Sequence, residues 1–249
     1  MAFLMADGTY QANGVTVNEY LLTRHNPNRI SMPSKMELPL IGVTIHNTDA
    51  IKVEGTTQAE QYTRATVNGN MGTVRVHFYV DEVEAWQNLP LDWQGWHAAD
   101  GSGKGNTRTI AIECIGSSDK AEDNAARLIA WLLEKFGLNA DDNLFTHTYW
   151  LNVRDSKGTG LTMYERCILK HPYKVCPAFI IPHFRDFINR VKGYMPKTEA
   201  KPQTEVKPES QYLYRVCIGT YSVEKNARER LKEIRKAYPD AFLIKTVKK

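Results

Sequence analysis

Cysteine is scarce in this sequence, and the few cysteines are scattered. The four in 249 residues, Cys114, Cys167, Cys176 and Cys217, form no C-x-x-C pair. A dense disulfide scaffold is therefore excluded, and the usage fits synthesis in a reducing cytoplasm.

Long apolar runs and a basic amino-terminal segment are also missing. No stretch reaches the roughly 18 consecutive apolar residues that a membrane helix needs, so we expect no membrane insertion. The opening segment, MAFLMADGTYQANG, has no basic residue, and its apolar run ends at Asp7. We therefore expect no secretory signal peptide.

Hydrophobic and charged residues make up 42% and 24% of the chain, which excludes a disordered chain, a collagen and a coiled coil. The net charge of +4 is uneven: residues 196–249 hold 13 Lys and Arg against 7 Asp and Glu, and residues 1–195 hold 19 against 21. The basic tail indicates either a polyanionic or glycan surface as partner or a solvated, lysine-rich helix. It has no recognisable nucleic-acid motif, so we expect no nucleic-acid partner.

A proline-rich segment divides the chain. Residues 195–210 read MPKTEAKPQTEVKPES, with three prolines six residues apart, a composition typical of an extended linker. We therefore predict a first domain at 1–194 and a second, small domain at 211–249. Apolar spacing predicts one βαβ unit in the second domain, with strands at 212–218 and 241–247 around a helix at 223–237.

Hydrophobic periodicity in the first domain predicts strands interleaved with helices. Strands are expected at 41–45, 74–80 and 109–115, and helices at 57–67, from Asp119 to a stop at Gly137, and from about Pro182. Asp119 and Glu122 resemble a capping box at the start of the long helix. The fold class is therefore α/β, with a central sheet flanked by helices.

Two histidines and one cysteine stand where catalytic sites are built. His46 directly follows the apolar strand IGVTI, and His147 directly follows the short apolar run LFT. In α/β proteins, catalytic and binding sites are built at the ends of such strands. Cys176 lies between Lys174 and Pro177, where a thiol is either a zinc ligand or an activated nucleophile. Together the three residues could form an open zinc site, although no short local motif links them.

Glu113 interrupts an otherwise apolar strand, TIAIECI. It is either a general base aimed at an attacking water or an outward-facing residue of an edge strand. Lys174 is either an oxyanion-stabilising group or an ordinary surface lysine.

A cysteine protease is the competing chemistry, with Cys176 as nucleophile and His147 or His171 as base. Pro177 disfavours it, because proline removes the N–H that often serves an oxyanion hole at that position. The protease interpretation also leaves His46 and Glu113 without a role.

Five segments in order resemble one family. They are VTIHNT (43–48), VRVHFYVDE (74–82), GWHAADGSGKGNTRTIAIEC (95–114), THTYW (146–150) and KVCP (174–177). Together they resemble the zinc-dependent N-acetylmuramoyl-L-alanine amidases of the peptidoglycan-recognition and phage-lysozyme superfamily, in particular clostridial phage endolysins. The resemblance covers about residues 14–192 and implies a mixed β-sheet flanked by helices.

The resemblance also implies residue roles. His46, His147 and Cys176 match the zinc ligands, Glu113 the catalytic glutamate, and Lys174 the lysine near the scissile carbonyl. The groove of the family is matched by His77, Trp96 and His97.

Two features depart from the family pattern. The span between the second histidine and KVCP is lengthened by residues 152–170, which leaves His171 as an alternative ligand; His147 is preferred because Thr148, Tyr149 and Trp150 follow it. The position where some members carry a catalytic tyrosine is Val76, so the glutamate version of the mechanism applies.

The substrate groove is expected to bind glycan and peptide. The aromatic residues Tyr79, Trp86, Trp93 and Trp96 cluster near a glycine-rich loop, and they either line the groove or belong to the core. The peptide carboxylates are expected to be bound by Arg64 and Arg108.

The second domain resembles half of a sporulation-related (SPOR-like) repeat that binds peptidoglycan. A unit of about 38 residues is near the lower limit for independent folding, so we expect it to form a homodimer. The function expected overall is an endolysin-type amidase, made in the bacterial host cytoplasm and acting on the cell wall after release. The alternative is a non-catalytic peptidoglycan-binding receptor on the same fold.

Overall fold

The computed structural model describes residues 4–26, 29–51, 55–196 and 224–234. The chain separates into two compact units, Met1–Lys197 and Thr198–Lys249. No helix in these described ranges is both long and apolar enough to cross a membrane.

The first unit is built on a single mixed sheet. Its strands are β1 Gly8–Ala12, β2 Val15–Glu19, β3 Gly42–Thr48, β4 Phe78–Val80, β5 Ala85–Gln87, β6 Thr109–Ile115 and β7 Leu144–Thr146. Among the described residues they form seven strands in the order β1-β2-β5-β4-β6-β3-β7. Pairing is antiparallel for β1–β2 and β4–β5 and parallel for the other neighbours.

Helices cover both faces of this sheet. They are α1 Gln58–Val67, α2 Lys104–Arg108, α3 Asp119–Lys135, α4 Ala140–Asn143, α5 His147–Arg154, α6 Met163–Ile168 and α7 Phe184–Tyr194, with a 3₁₀ turn at Ile181–His183 before α7. The predicted mixed sheet flanked by helices is confirmed.

Alternation along the central strands sends side chains to two different cores. Val43 and Ile45 of β3, with Ile110 and Ile112 of β6, pack with the apolar faces of α3 and α7. On the other face, Ala111 packs with residues of α1 and β4. This second face also carries the polar residues Thr44, His46 and Glu113, which lie at alternate positions of the same strands.

The predicted strand at 74–80 is wrong in its first half. Only Phe78–Val80 forms β4, and Arg75 instead makes an isolated bridge with Trp96. The Arg75 guanidinium is buried and donates to the backbone carbonyls of Ser31, Gly72 and Val74. The alternation over residues 74–80 therefore does not mark one continuous strand.

The capping of α3 also differs from the prediction. Ser118, one residue earlier than expected, is the N-cap, and its hydroxyl accepts a hydrogen bond from the N–H of Ala121. Asp119 lies in the first turn, where its charge favours the helix dipole. Gly137 follows the helix with φ of 66°, in agreement with the predicted stop.

In the second unit the structure describes one helix, α8 Glu224–Ile234. It lies inside the helix predicted at 223–237. The predicted strands at 212–218 and 241–247 and the segment 197–210 of the predicted linker lie outside the described residues, so the domain assignment stays a prediction.

Candidate metal centre and active site

His46, His147 and Cys176 converge on one point. One ligand atom from each lies within 4.8 Å of the other two, and all three residues are buried. The Cys176 Sγ is 3.8 Å from the Nδ1 of His46. Strands β3 and β7 are parallel neighbours, so His46, near the end of β3, and His147, directly after β7, meet at the same sheet edge.

The cluster has the chemistry of a metal site. Both ring nitrogens of His147 are buried and find no hydrogen-bond partner within the described ranges, an arrangement that is costly unless something else binds there. Burial lowers the pKa of His147 to about 3, so its ring is neutral and its lone pair is free to bind a cation. Two imidazoles and one sulfur form a three-ligand set that leaves a zinc ion one open position.

Cys176 is poorly placed to act as a nucleophile. Burial, followed by the charge of Glu113, raises the pKa of its thiol to about 12. An activated cysteine needs the opposite shift. The geometry therefore favours a metal ligand over the protease interpretation, since a bound cation would stabilise the thiolate.

Thr148 holds the backbone of Cys176 in place. Its hydroxyl accepts a hydrogen bond from the Cys176 N–H at 2.7 Å and donates one to the Cys176 carbonyl at 3.0 Å. The Thr148 N–H donates to the same carbonyl at 2.9 Å. Trp150, on the same helix, donates to the hydroxyl of Thr44 on β3 at 2.8 Å. Helix α5 thus ties the cysteine loop to the strand that carries His46.

His171, the alternative ligand, is engaged elsewhere. Its Nε2 is 3.0 Å from the carboxylate of Asp155, and its Nδ1 accepts a hydrogen bond from the Tyr173 N–H at 3.2 Å. It anchors the loop that leads to Cys176. The structure places His147, and not His171, in the cluster with His46 and Cys176.

Glu113 lies beside the cluster on an interior strand. Strand β6 is flanked by β4 and β3, and Glu113 is in register with His46, which rules out the edge-strand alternative. Its Oε2 is 4.0 Å from the Nδ1 of His46, and its side chain is 15% exposed. Burial raises the pKa of Glu113 to about 7, against the lowering effect of Lys174. A carboxylate with a pKa near the working pH is well suited to general base catalysis.

Lys174 lies two residues before Cys176 on the same loop. Its side chain is exposed. Burial is the main influence on the pKa of His46, His147 and Glu113; the charge of Lys174 further lowers the pKa of the two histidines and partly offsets the raised pKa of Glu113.

Two predicted groove histidines are buried instead. His77 has no exposed surface; its Nε2 is 2.8 Å from the Trp93 carbonyl, and its Nδ1 accepts a hydrogen bond from the Ala111 N–H. His97 is 6% exposed, and its Nδ1 is 3.0 Å from the Nε2 of His46. Both rings therefore support the site from inside and do not line an open groove.

The predicted arginines also have protein partners. Arg64 lies 3.8 Å from Glu60 on the same helix. The guanidinium of Arg108 donates twice to the carbonyl of Pro39, at 2.9 and 2.6 Å. Neither residue is brought to the metal cluster by a described contact, so a role in peptide binding stays a prediction.

The aromatic residues divide between core and surface. Tyr79 and Trp86 are buried in the core beneath α1. Trp93 and Trp96 are half-buried. Tyr173, which the sequence did not single out, is 77% exposed on the loop next to Lys174.

Comparison with known proteins identifies the family. The sequence profile of a family described as "N-acetylmuramoyl-L-alanine amidase" matches residues 37–177. The N-acetylmuramoyl-L-alanine amidase XlyA of Bacillus subtilis (strain 168) is 38% identical over 112 residues, which are 43% of this chain and 36% of XlyA. The N-acetylmuramoyl-L-alanine amidase CwlH of the same organism is 29% identical over 190 residues, 76% of this chain and 66% of CwlH.

Solved structures share the fold. The catalytic domain of XlyA superimposes with a TM-score of 0.52 at 26% identity, covering 70% of this chain and 99% of that domain. A mutant endolysin from Bacillus subtilis gives a TM-score of 0.53 at 27% identity, with the same coverage. The chain covers only about a third of full-length XlyA and about two thirds of CwlH. The matched segment runs from just before β3 to just beyond Cys176, which includes all the residues of the cluster, and the chain belongs to the N-acetylmuramoyl-L-alanine amidase family.

Proposed function

We propose that this chain is a zinc-dependent peptidoglycan hydrolase that cleaves the amide bond between N-acetylmuramic acid and L-alanine. One observation carries the proposal: the Glu113 carboxylate lies 4.0 Å from His46 within a buried cluster of two histidines and a cysteine. The amidase names of the relatives supply the substrate class.

His46, His147 and Cys176 would hold the zinc ion. The neutral imidazoles and the sulfur match its preferred ligands, and the unpartnered nitrogens of His147 leave room for it. When bound, zinc supplies a Lewis acid that polarises a carbonyl and makes water more acidic.

Glu113 would carry the proton through the reaction. Its carboxylate takes a proton from the water whose oxygen attacks the lactyl carbonyl carbon. It then delivers that proton to the alanine nitrogen as the carbon–nitrogen bond breaks. The products are a carboxylate on the lactyl group and a free amino group on L-alanine. A pKa of about 7 lets one residue accept and release this proton near neutral pH.

Lys174 would stabilise the tetrahedral stage. The Lys174 side chain is exposed, and its charge partly offsets the burial that raises the pKa of Glu113. It can therefore face the negative charge that develops on the attacked carbonyl oxygen. The half-buried Trp96 and the exposed Tyr173 would offer aromatic faces to sugar rings or apolar peptide parts.

The second domain, 211–249, would hold the enzyme on the wall as a SPOR-like half-module, paired with a second copy. The cellular setting that we propose is synthesis in a bacterial host cytoplasm, from a phage of the clostridial type, and release to the wall through a membrane lesion.

Digestion of purified peptidoglycan tests the reaction. Zinc-loaded protein should release new N-terminal alanine, detected by amine labelling and mass spectrometry, and Glu113→Gln should retain zinc while its rate falls by roughly 10²–10⁴. New reducing sugar ends, or amino groups on other residues, would contradict the assigned bond. Tight binding to the wall without any release of N-terminal alanine would instead favour the alternative function, a non-catalytic peptidoglycan-binding receptor.

A further inference from the structure

A second buried histidine lies directly behind the first proposed ligand. The Nδ1 of His97 is 3.0 Å from the Nε2 of His46, and the two rings meet edge to face, with centroids 5.0 Å apart and planes at 84°. His97 is not one of the three clustered ligands, and the mechanism above does not use it.

The contacts of His46 determine which nitrogen faces which group. Its Nδ1 is on the side of the cluster, 3.8 Å from Cys176 Sγ and 4.0 Å from Glu113 Oε2. Its Nε2 faces His97. A histidine binds a metal through the nitrogen that has no proton, so the proton of a metal-bound His46 must be on Nε2.

This tautomer requires an acceptor at His97. We propose that His97 is a positioning residue, whose Nδ1 accepts the Nε2 proton of His46 and so holds the His46 ring with its Nδ1 lone pair aimed at the metal. The inference rests on the zinc centre of the proposed function. Outer hydrogen-bond partners of this kind orient metal ligands and raise their basicity.

The second nitrogen of His97 is compatible with this arrangement. If Nδ1 is an acceptor, the proton of a neutral His97 is on Nε2. That atom is buried, and the ring also has a backbone hydrogen bond with Gly105.

The surrounding loop fixes the His97 ring. The backbone N–H groups of His97 and Ala98 both donate to the Asn106 side-chain oxygen at 2.8 Å. Asn106 is itself held by the Asp100 carboxylate, which accepts from its N–H at 3.2 Å. A Cβ at position 95 would lie 2.5 Å from the His97 ring, so Gly95 leaves the space that the ring occupies.

Zinc affinity of the full chain, measured by competition with a chelating dye, tests the proposal. His97→Leu removes the acceptor and should weaken zinc binding by about 10–100-fold. His97→Asn retains an oxygen near the Nδ1 position and should restore most of the affinity. The matched control is His183→Leu, because His183 pairs with Glu122 of α3 at 2.8 Å, on the other face of the sheet; its affinity should equal that of the wild type.

Loading with Co²⁺ in place of zinc gives a second measurement, the visible absorption spectrum of the bound ion, which a general loss of protein stability does not change. The visible absorption of bound Co²⁺ should shift in His97→Leu and stay unchanged in His97→Asn and His183→Leu. Wild-type affinity in His97→Leu, or equal losses in the Leu and Asn variants, would overturn the positioning role. A wild-type chain that binds no zinc would instead contradict the proposed function, so the two failures are distinguishable.

Discussion

Replacing Thr148 by valine tests the side-chain hydrogen bonds that hold the backbone of Cys176. The two side chains have nearly the same volume, but valine lacks the hydroxyl that accepts from the Cys176 N–H at 2.7 Å and donates to its carbonyl at 3.0 Å. Thr148 has no exposed surface, so water cannot readily replace the lost group. The backbone bond from the Thr148 N–H to the Cys176 carbonyl remains.

The expected cost follows from these contacts. The carbonyl of Cys176 keeps one partner, but its buried N–H is left without any. An unsatisfied buried donor costs about 1–3 kcal/mol, and the second lost bond adds about 1 kcal/mol. Because valine is more apolar than threonine, part of this is offset, and we expect a net loss of about 2–3 kcal/mol in the free energy of unfolding. At about 2–4 °C per kcal/mol, the Tm should fall by about 4–12 °C.

Thermal and urea unfolding of chelator-treated protein measure this loss without a contribution from metal binding. Thr148→Ser is the matched control, because it keeps the hydroxyl and loses only a methyl group. Zinc affinity should also fall in Thr148→Val, since the thiol is no longer held opposite His46. A valine variant as stable as the wild type, or a serine variant that loses as much as valine, would refute the reasoning.

Three further predictions concern the ligands, acid stability and assembly. Cys176→Ser should lose zinc and activity together, whereas His171→Ala should retain stoichiometric zinc, as metal analysis will show. Burial lowers the pKa of His77 to about 4 in the folded chain, against an ordinary 6.5, so the unfolded chain binds the proton first as the pH falls. The stability that neutral His77 contributes is fully present above pH 6.5, and about 3 kcal/mol of it is lost as the pH falls to about 4. His77→Gln should remove that part of the acid dependence in urea titrations; an unchanged slope would contradict it. In sedimentation equilibrium the full chain should have about twice the mass of 28.4 kDa, and a chain ending at Lys192 should be monomeric; two monomers would contradict a dimer through 211–249.

Sequence reasoning succeeded where a local pattern carried the information. Strand β6 begins and ends at the predicted residues, because its apolar run is bounded by clear changes of pattern. His46 and His147 were singled out by their positions after apolar strands and Cys176 by its neighbours Lys174 and Pro177; the structure brings the three together, and their role as ligands stays a prediction. Asn13 and Gly14, with φ of 47° and 84°, form the turn of the β1–β2 hairpin. An Asn-Gly pair is a sequence signal for such a turn, although no strands were predicted there.

The supporting residues could not be predicted from local pattern. The Thr148–Cys176 contact joins residues 28 positions apart, and the His97–His46 contact joins residues 51 positions apart. No periodicity links such pairs, since only the order of strands in the sheet brings them together. The same holds for Glu113, whose interior position depends on β3 and β4 pairing on either side of β6.

Zinc titration of the metal-free enzyme tests the central claim most directly. The rate of N-terminal alanine release from purified wall is measured as zinc is added, together with the bound metal. The account predicts no release without zinc, a rate that rises in proportion to bound zinc, and saturation at one ion for each chain. Full activity in the metal-free enzyme, or the same saturation curve in Cys176→Ser, would contradict it.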